Sequence, residues 1–162
     1  MQFRASEVVT GPIDLVFAGL SDMAHYERDA LARGVQVERL DNLPRPAPGM
    51  QWRVPFRAKG RDRVAEFALV KLAAPTGMRF EGRVQGLFFE SDFDCRVLDP
   101  DATEVTITTK LRAKSISAKV ILQSMKLARA SLAKQYRKRV RKSLRELEDR
   151  IHAPTMGEPD AS

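Results

Sequence analysis

The chain has 162 residues, 43% of them apolar, with a formal net charge of +7, which is enough for a single domain with a sizeable core. Its lone cysteine, Cys95, excludes an internal disulfide, and no run of roughly eighteen apolar residues marks a transmembrane helix. The opening Met1–Glu7 lacks the apolar stretch of a secretory signal, so a cytoplasmic location is expected.

Residues 2–10 read as a strand, with Phe3, Ala5 and the pair Val8–Val9 set among polar neighbours. Gly11-Pro12 punctuates it, and Pro12 suits the first turn of a short helix over Ile13–Leu20. Ser21-Asp22 caps a second short helix from about Met23 to Arg33, which Gly34 ends. A brief strand over 35–40 and a proline-bearing loop over 42–49 follow.

From Met50 onward the chain is a series of strands separated by turns. Met50, Trp52, Val54 and Phe56 share one face, and Pro55 places that strand at an edge or beside a bulge. The next strand, about Arg63–Ala73, is ambiguous. One alternation turns Phe67, Leu69 and Lys71 inward, the other Val64, Glu66, Ala68, Val70 and Leu72. Each brings one charged group to the apolar face unless a bulge re-aims it. Past Gly77, the residues Met78, Phe80, Gly82 and Val84 share a face; so do Phe89, Ser91, Phe93, Cys95 and Val97, and then Val105, Ile107, Thr109 and Leu111. Pairing Phe93 with Thr109 sets Glu90 opposite Arg112 and Asp92 opposite Lys110. Pairing Phe80 with Phe93 sets Arg79 opposite Asp94 and Arg83 opposite Glu90. The result is an antiparallel sheet with one apolar face and one ion-paired, wet face.

A single long helix is expected from Ser115 to Ile151. Ile116, Val120, Met125, Ala128, Leu132, Tyr136, Val140, Leu144, Leu147 and Ile151 mark one face, with no Gly or Pro inside and Pro154 beyond the end. At ~1.5 Å per residue it would run ~55 Å. The basicity of the chain is concentrated here: between Lys119 and Arg150, eleven Lys and Arg stand against three acids, and the rest of the chain is close to neutral. Residues 153–162 read as a flexible tail after a single domain over 1–152.

Strand, two short helices, six strands and a long terminal helix is an order that resembles the SRPBCC superfamily, which includes START domains, birch-pollen-allergen-like proteins and polyketide cyclase-like proteins. The likeness rests on the first strand with Gly11–Phe17, on Leu20-Ser21-Asp22, on Pro75–Phe80, on the Asp99–Thr103 turn and on the terminal helix, and covers about residues 2–151. The resemblance implies an α+β helix-grip fold, with a curved, antiparallel, seven-stranded sheet wrapped around the C-terminal helix and two short helices between strands one and two. It also implies a cavity holding an apolar small molecule or lipid; the superfamily has no shared catalytic motif to carry over. A curved sheet cannot lie flush on a straight helix, so large side chains either fill the gap or line a pocket there. Trp52, Phe56, Phe80, Phe89, Phe93 and Met125 are the candidates for that role, with Glu66 or Lys71 as a charged anchor should either face inward.

No cofactor is expected. His25, His152 and Cys95 lack partners at metal-ligand spacing, and there is no Gly-rich phosphate loop and no Ser/His/Asp set. Glu90, Asp92 and Asp94 belong to the ion-paired face, and Cys95 is an inward thiol. The basic helix face, densest around Lys134, Arg137, Lys138, Arg141 and Lys142, is either a solvated surface or a contact for an anionic membrane. Nucleic acid is not expected as a partner, because Tyr136 is the helix's one aromatic and faces inward, leaving no stacking platform. Binding of an apolar molecule, a cyclase- or dehydratase-like reaction in the same cavity, and an interaction through the basic helix are the three functions to separate. The ligand and the oligomeric state are not legible.

Overall fold

The computed structural model describes residues 1–153, so the expected tail falls, from residue 154 onward, outside the described residues. In chain order the elements are β1 (Gln2–Thr10), α1 (Ile13–Leu20), α2 (Met23–Ala32), β2 (Glu38–Arg39), β3 (Gln51–Ala58), β4 (Arg61–Ala73), β5 (Gly77–Val84), β6 (Leu87–Asp99), β7 (Ala102–Ala113), α3 (Ile116–Leu127) and α4 (Arg129–His152). The strands form one seven-stranded sheet in the order β1-β7-β6-β5-β4-β3-β2. Every neighbouring pair is antiparallel. Local signals explain the element ends. The Asp22 carboxylate accepts the His25 N–H at 3.1 Å to cap α2, and the Ser115 hydroxyl accepts the Ala118 N–H at 3.1 Å to cap α3. Pro55 lies beyond the reach of the two-residue β2, whose partners are Arg53 and Trp52, so its missing N–H costs no ladder bond.

The hairpin registers differ from expectation by two residues. Phe93 stands opposite Ile107 rather than Thr109, and opposite Met78 rather than Phe80. Glu90 therefore faces Lys110, Asp92 faces Thr108, Arg79 faces Asp92 and Arg83 faces Phe88. The tight turns cause the difference. Gln85-Gly86 connects β5 to β6 in two residues, both with positive φ (53° and 75°), the backbone that hairpin turns of this length require. A two-residue slip keeps each side chain on its face. The wet face is ion-paired as expected: Arg79 meets Asp92 at 2.7 Å and Arg96 meets Glu104 at 3.1 Å.

The ambiguity of β4 is resolved by a bulge. The register with β5 shifts between Leu69 and Lys71, leaving Val70 unpaired. Before the bulge Phe67 and the fully buried Leu69 face the helices; after it Leu72 does, beside the core. Each alternation is correct on its own side of Val70.

The long helix is two helices. It breaks at Ala128, whose N–H is shared between the carbonyls of Ser124 (3.4 Å) and Met125 (3.1 Å). One turn earlier, the Ser124 hydroxyl bonds back to the Val120 carbonyl at 3.2 Å, a competitor for the helix ladder that bends helices. The break lets α3 lie against β7 while α4 crosses to β1 and α1. The core lies under α4: Val140, Leu144 and Leu147 pack with Val16, Phe17 and Leu20 of α1 and with Ala5, Val9 and Val105 of the sheet. Gly19 permits the close crossing, since a Cβ there would come within 2.6 Å of Leu147 Cδ1.

Candidate ligand cavity

Between the inner face of β3–β7 and the helices α2 and α4 lies a cavity of about 970 Å³. That is the scale of a pocket that encloses a drug-sized molecule. Its floor is paved by aromatic rings projecting from alternate positions of adjacent strands. Trp52 stacks on Phe67 (centroids 5.2 Å apart) and Phe67 meets Phe80 and Phe89 at 6.4 Å each, while Phe80 meets Phe93 edge-to-face at 5.6 Å. These offset and T-shaped contacts hold the rings by one another. The sheet side stays a lined wall while space remains beneath α4.

Trp52, Phe80, Phe89 and Phe93 thus line the cavity. Phe56 and Met125 do not. Phe56 shares the face of Trp52 but sits toward the β3–β4 turn and is 37% exposed. Met125 belongs to α3, which the break at Ala128 carries away from the cavity wall. Glu66 and Lys71 also fail to reach it, because the bulge at Val70 keeps both on the wet face. Glu66 bonds Arg83 at 3.1 Å and Arg53 at 3.2 Å, which hold its carboxyl below the usual range; Lys71 is exposed opposite Arg79.

Several lining residues go unmarked as site residues in the sequence. Phe67 belongs to one of two open alternations. Tyr136 faces inward by its helical spacing, with nothing to tie it to a site. Ser91 and Thr109 occupy inward positions of apolar strands, and a polar residue at such a position is the available signal. Ser91 and Thr109 are 2.9 Å apart at their hydroxyl oxygens, Thr109 and Tyr136 3.0 Å, and Tyr136 donates to the Ile107 carbonyl at 3.1 Å. Burial pushes the Tyr136 phenol above its ordinary pKa, opposed in part by the bond to Thr109, so the phenol stays protonated at neutral pH. At the other end, the Trp52 indole N–H donates to Glu27 at 2.8 Å, and Glu27 also receives Arg39 at 3.1 Å. Arg39 in turn holds Asp41 at 2.7 Å, well below the usual carboxylate range. Arg33, just past the end of α2, and Arg139, Ser143 and Glu146 on α4 are exposed and also line the cavity. The mouth therefore opens between α2 and α4.

Lys134, Arg137, Lys138, Arg141 and Lys142 lie on α4 and all five are exposed; Arg141 is tied to Glu7 of β1 at 2.9 Å. Among the described residues no group of three or more His, Cys, Asp or Glu could hold a metal, and no helix is long and apolar enough to cross a membrane.

No family model matches the sequence, and no curated protein matches it either. Solved structures do match in three dimensions. A protein of Thermus thermophilus superposes with a TM-score of 0.64 at 16% identity, over 93% of this chain and 97% of that one. The Zhui aromatase/cyclase of a Streptomyces species gives 0.61 at 18% identity, over 94% and 96%. A START superfamily protein of Mycobacterium smegmatis gives 0.53 at 15% identity, over 83% and 95%. At such identities the likeness is one of fold: the chain has the helix-grip fold, an antiparallel sheet with a long C-terminal helix, that these structures share.

Proposed function

We propose that this chain binds or carries an apolar small molecule or lipid in the cavity between the sheet and α4. The observation that carries the proposal is the cavity itself, about 970 Å³ of space paved by Trp52, Phe67, Phe80, Phe89 and Phe93 and opening between two helices. Apolar surface buried there would contribute roughly 25 cal/mol per Å² removed from water. A cyclase- or dehydratase-like reaction, of the kind that the name of the Streptomyces neighbour describes for that protein, would need an acid or base facing the substrate. Glu66 and Lys71 face away; His25, Asp29 and Glu146 line the cavity only from α2 and α4, and Glu27 is already held by Trp52 and Arg39. The aromatic floor itself carries no acid or base, which favours binding over chemistry. The test is native mass spectrometry of protein purified without detergent, followed by solvent extraction. A stoichiometric apolar adduct is the expected result. A clean apo mass, together with failure to bind neutral hydrophobic probes, would overturn the proposal.

A second reading, contact with an anionic membrane surface, draws on α3 rather than on the cavity. Ile116 (84% exposed), Val120 (62%) and Leu127 (93%) stand in solvent, with Lys119 and Lys126 on the same helix and the basic face of α4 following. Exposed apolar residues beside clustered Lys and Arg suit the interface of an anionic bilayer.

A further inference from the structure

The hydroxyls on the cavity wall form a hydrogen-bond relay whose direction is fixed, and that direction bears on what the ligand must offer. The relay starts at the Ile107 main-chain carbonyl, which can only accept. The Tyr136 hydroxyl lies 3.1 Å from it and must therefore donate its one proton there. With that proton committed, the 3.0 Å bond between Thr109 and Tyr136 has to run from Thr109 Oγ1 to the phenol oxygen. The Thr109 proton is then committed as well, so the 2.9 Å bond between Ser91 and Thr109 runs from Ser91 Oγ to Thr109 Oγ1. Ser91 is the end of the line. Its proton is used, its oxygen keeps unshared lone pairs, and it has no other side-chain partner among the described residues. It stands between Phe89 and Phe93 on β6, with Phe80 as its register partner on β5, and all four line the cavity.

We propose that this relay makes the cavity selective for apolar alcohols and phenols. An aromatic or alicyclic body would pack against the Phe80, Phe89 and Phe93 rings, and its hydroxyl would donate to Ser91 Oγ. This rests on the ligand-binding reading above and narrows it. A ketone, quinone or ether of the same shape would bring a second acceptor against an acceptor. For Ser91 to turn its proton toward such a ligand, Thr109 would have to lose its donor. Nothing else in the relay can compensate, because the carbonyl at its head cannot donate. An apolar wall with one unpaired acceptor thus discriminates by leaving the wrong ligand's oxygen buried without a partner.

The test uses the full chain and the neutral fluorescent probe N-phenylnaphthylamine, displaced by naphthol or by its methyl ether. The two competitors share a ring system and differ in whether the oxygen can donate. Naphthol is expected to displace the probe at about five- to tenfold lower concentration than the ether, the effect of one neutral hydrogen bond. Ser91→Ala should abolish the preference while retaining probe binding. Tyr136→Phe should also reduce it, for a different reason: with the phenol gone, Thr109 can donate to Ser91 and Ser91 can turn its own proton toward the ether. A merely structural Tyr136 would instead alter both competitors alike. Melting temperatures measured in parallel identify a variant that fails to fold, and the wild-type comparison stands without either variant. Equal displacement by naphthol and ether overturns this inference and leaves the carrier reading intact. Retention of the wild-type preference in a folded Tyr136→Phe overturns the directed relay. A probe that does not bind at all overturns both.

Discussion

The ring of Phe89 lies across Gly82, its register partner on the neighbouring strand: a Cβ at Gly82 would collide with the ring and come within 2.6 Å of the Glu66 carbonyl oxygen. The ring can rotate, but the Glu66 backbone is fixed in the ladder between β4 and β5. Gly82→Ala should therefore destabilise the protein by about 1–3 kcal/mol, the usual cost of overpacking. It should also weaken binding of a neutral hydrophobic probe, because Phe89 forms part of the cavity floor. Urea denaturation gives the first effect and probe titration the second. An alanine variant as stable as wild type would mean that the strands separate easily at this point.

Glu27 joins α2 to the sheet by accepting from both the Trp52 indole and Arg39. Trp52 is only 3% exposed, so removing its acceptor leaves a buried N–H without a partner. Glu27→Ala is expected to cost about 1–3 kcal/mol, and Glu27→Gln less, since the amide oxygen can still accept. Because Trp52 is the one tryptophan, its emission reports directly on this contact and on occupancy of the cavity beside it. The alanine variant should show altered Trp52 emission, and the glutamine variant a spectrum close to that of wild type.

Cys95 is an inert thiol with a pH signature. It is buried at 6% exposure on the inner face of β6, and burial, reinforced by the negative charge of Asp94, pushes its pKa up to about 11. The unfolded chain releases this proton near the ordinary thiol value, ~8.5, while the folded chain holds it. Between those two values the folded state binds the proton more tightly. The stability from this group is thus intact at neutral pH and is lost as pH rises toward 11. The urea midpoint should fall more steeply between pH 8 and 11 in wild type than in Cys95→Ala. A thiol reagent should react slowly at neutral pH until the chain is unfolded; equally fast reaction in the folded state would contradict the burial.

How much of this is legible in the sequence varies with the kind of signal. The limits of β1 and α1 are readable because Gly11-Pro12 and Ser21-Asp22 act locally, through φ and through a capping carboxylate. The inward face of each strand is readable for the same reason that the register is not: alternation has a period of two, and a shift by two leaves it unchanged. Only the turn can choose between the registers, and Gln85 is not a residue that advertises positive φ. The bulge at Val70 hides behind two alternations, each valid for half of β4. Choosing either one for the whole strand makes Glu66 or Lys71 an inward charge, and the bulge makes neither so. The helix break is the least visible. Ala128 is of the best helix-forming type, and the bend arises from the Ser124 back-bond and from the need of α3 and α4 to pack on different strands, which no local propensity records. The hydroxyl relay requires three elements in register at once and has no sequence signature beyond polar residues on an apolar face.

The basic face of α4 can be tested apart from the cavity because the residues involved do not overlap. Arg137 and Lys138 are exposed, absent from the cavity wall and without a salt-bridge partner among the described residues. Arg141 is a poorer choice, since reversing its charge would set it against Glu7. If the chain meets an anionic bilayer, wild type should sediment with vesicles containing phosphatidylserine and not with pure phosphatidylcholine, and salt should weaken the association as the Debye length shrinks. Each Lys or Arg near such a surface contributes about 1 kcal/mol, so the double variant Arg137→Glu, Lys138→Glu should bind at least ~30-fold more weakly. Leu127→Asp should weaken it as well, through a side chain that is 93% exposed and whose loss costs the fold little. Both variants should still bind the neutral probe as wild type does. If the double variant sediments like wild type, the positive charge of α4 is a solvated face and α3 needs another account.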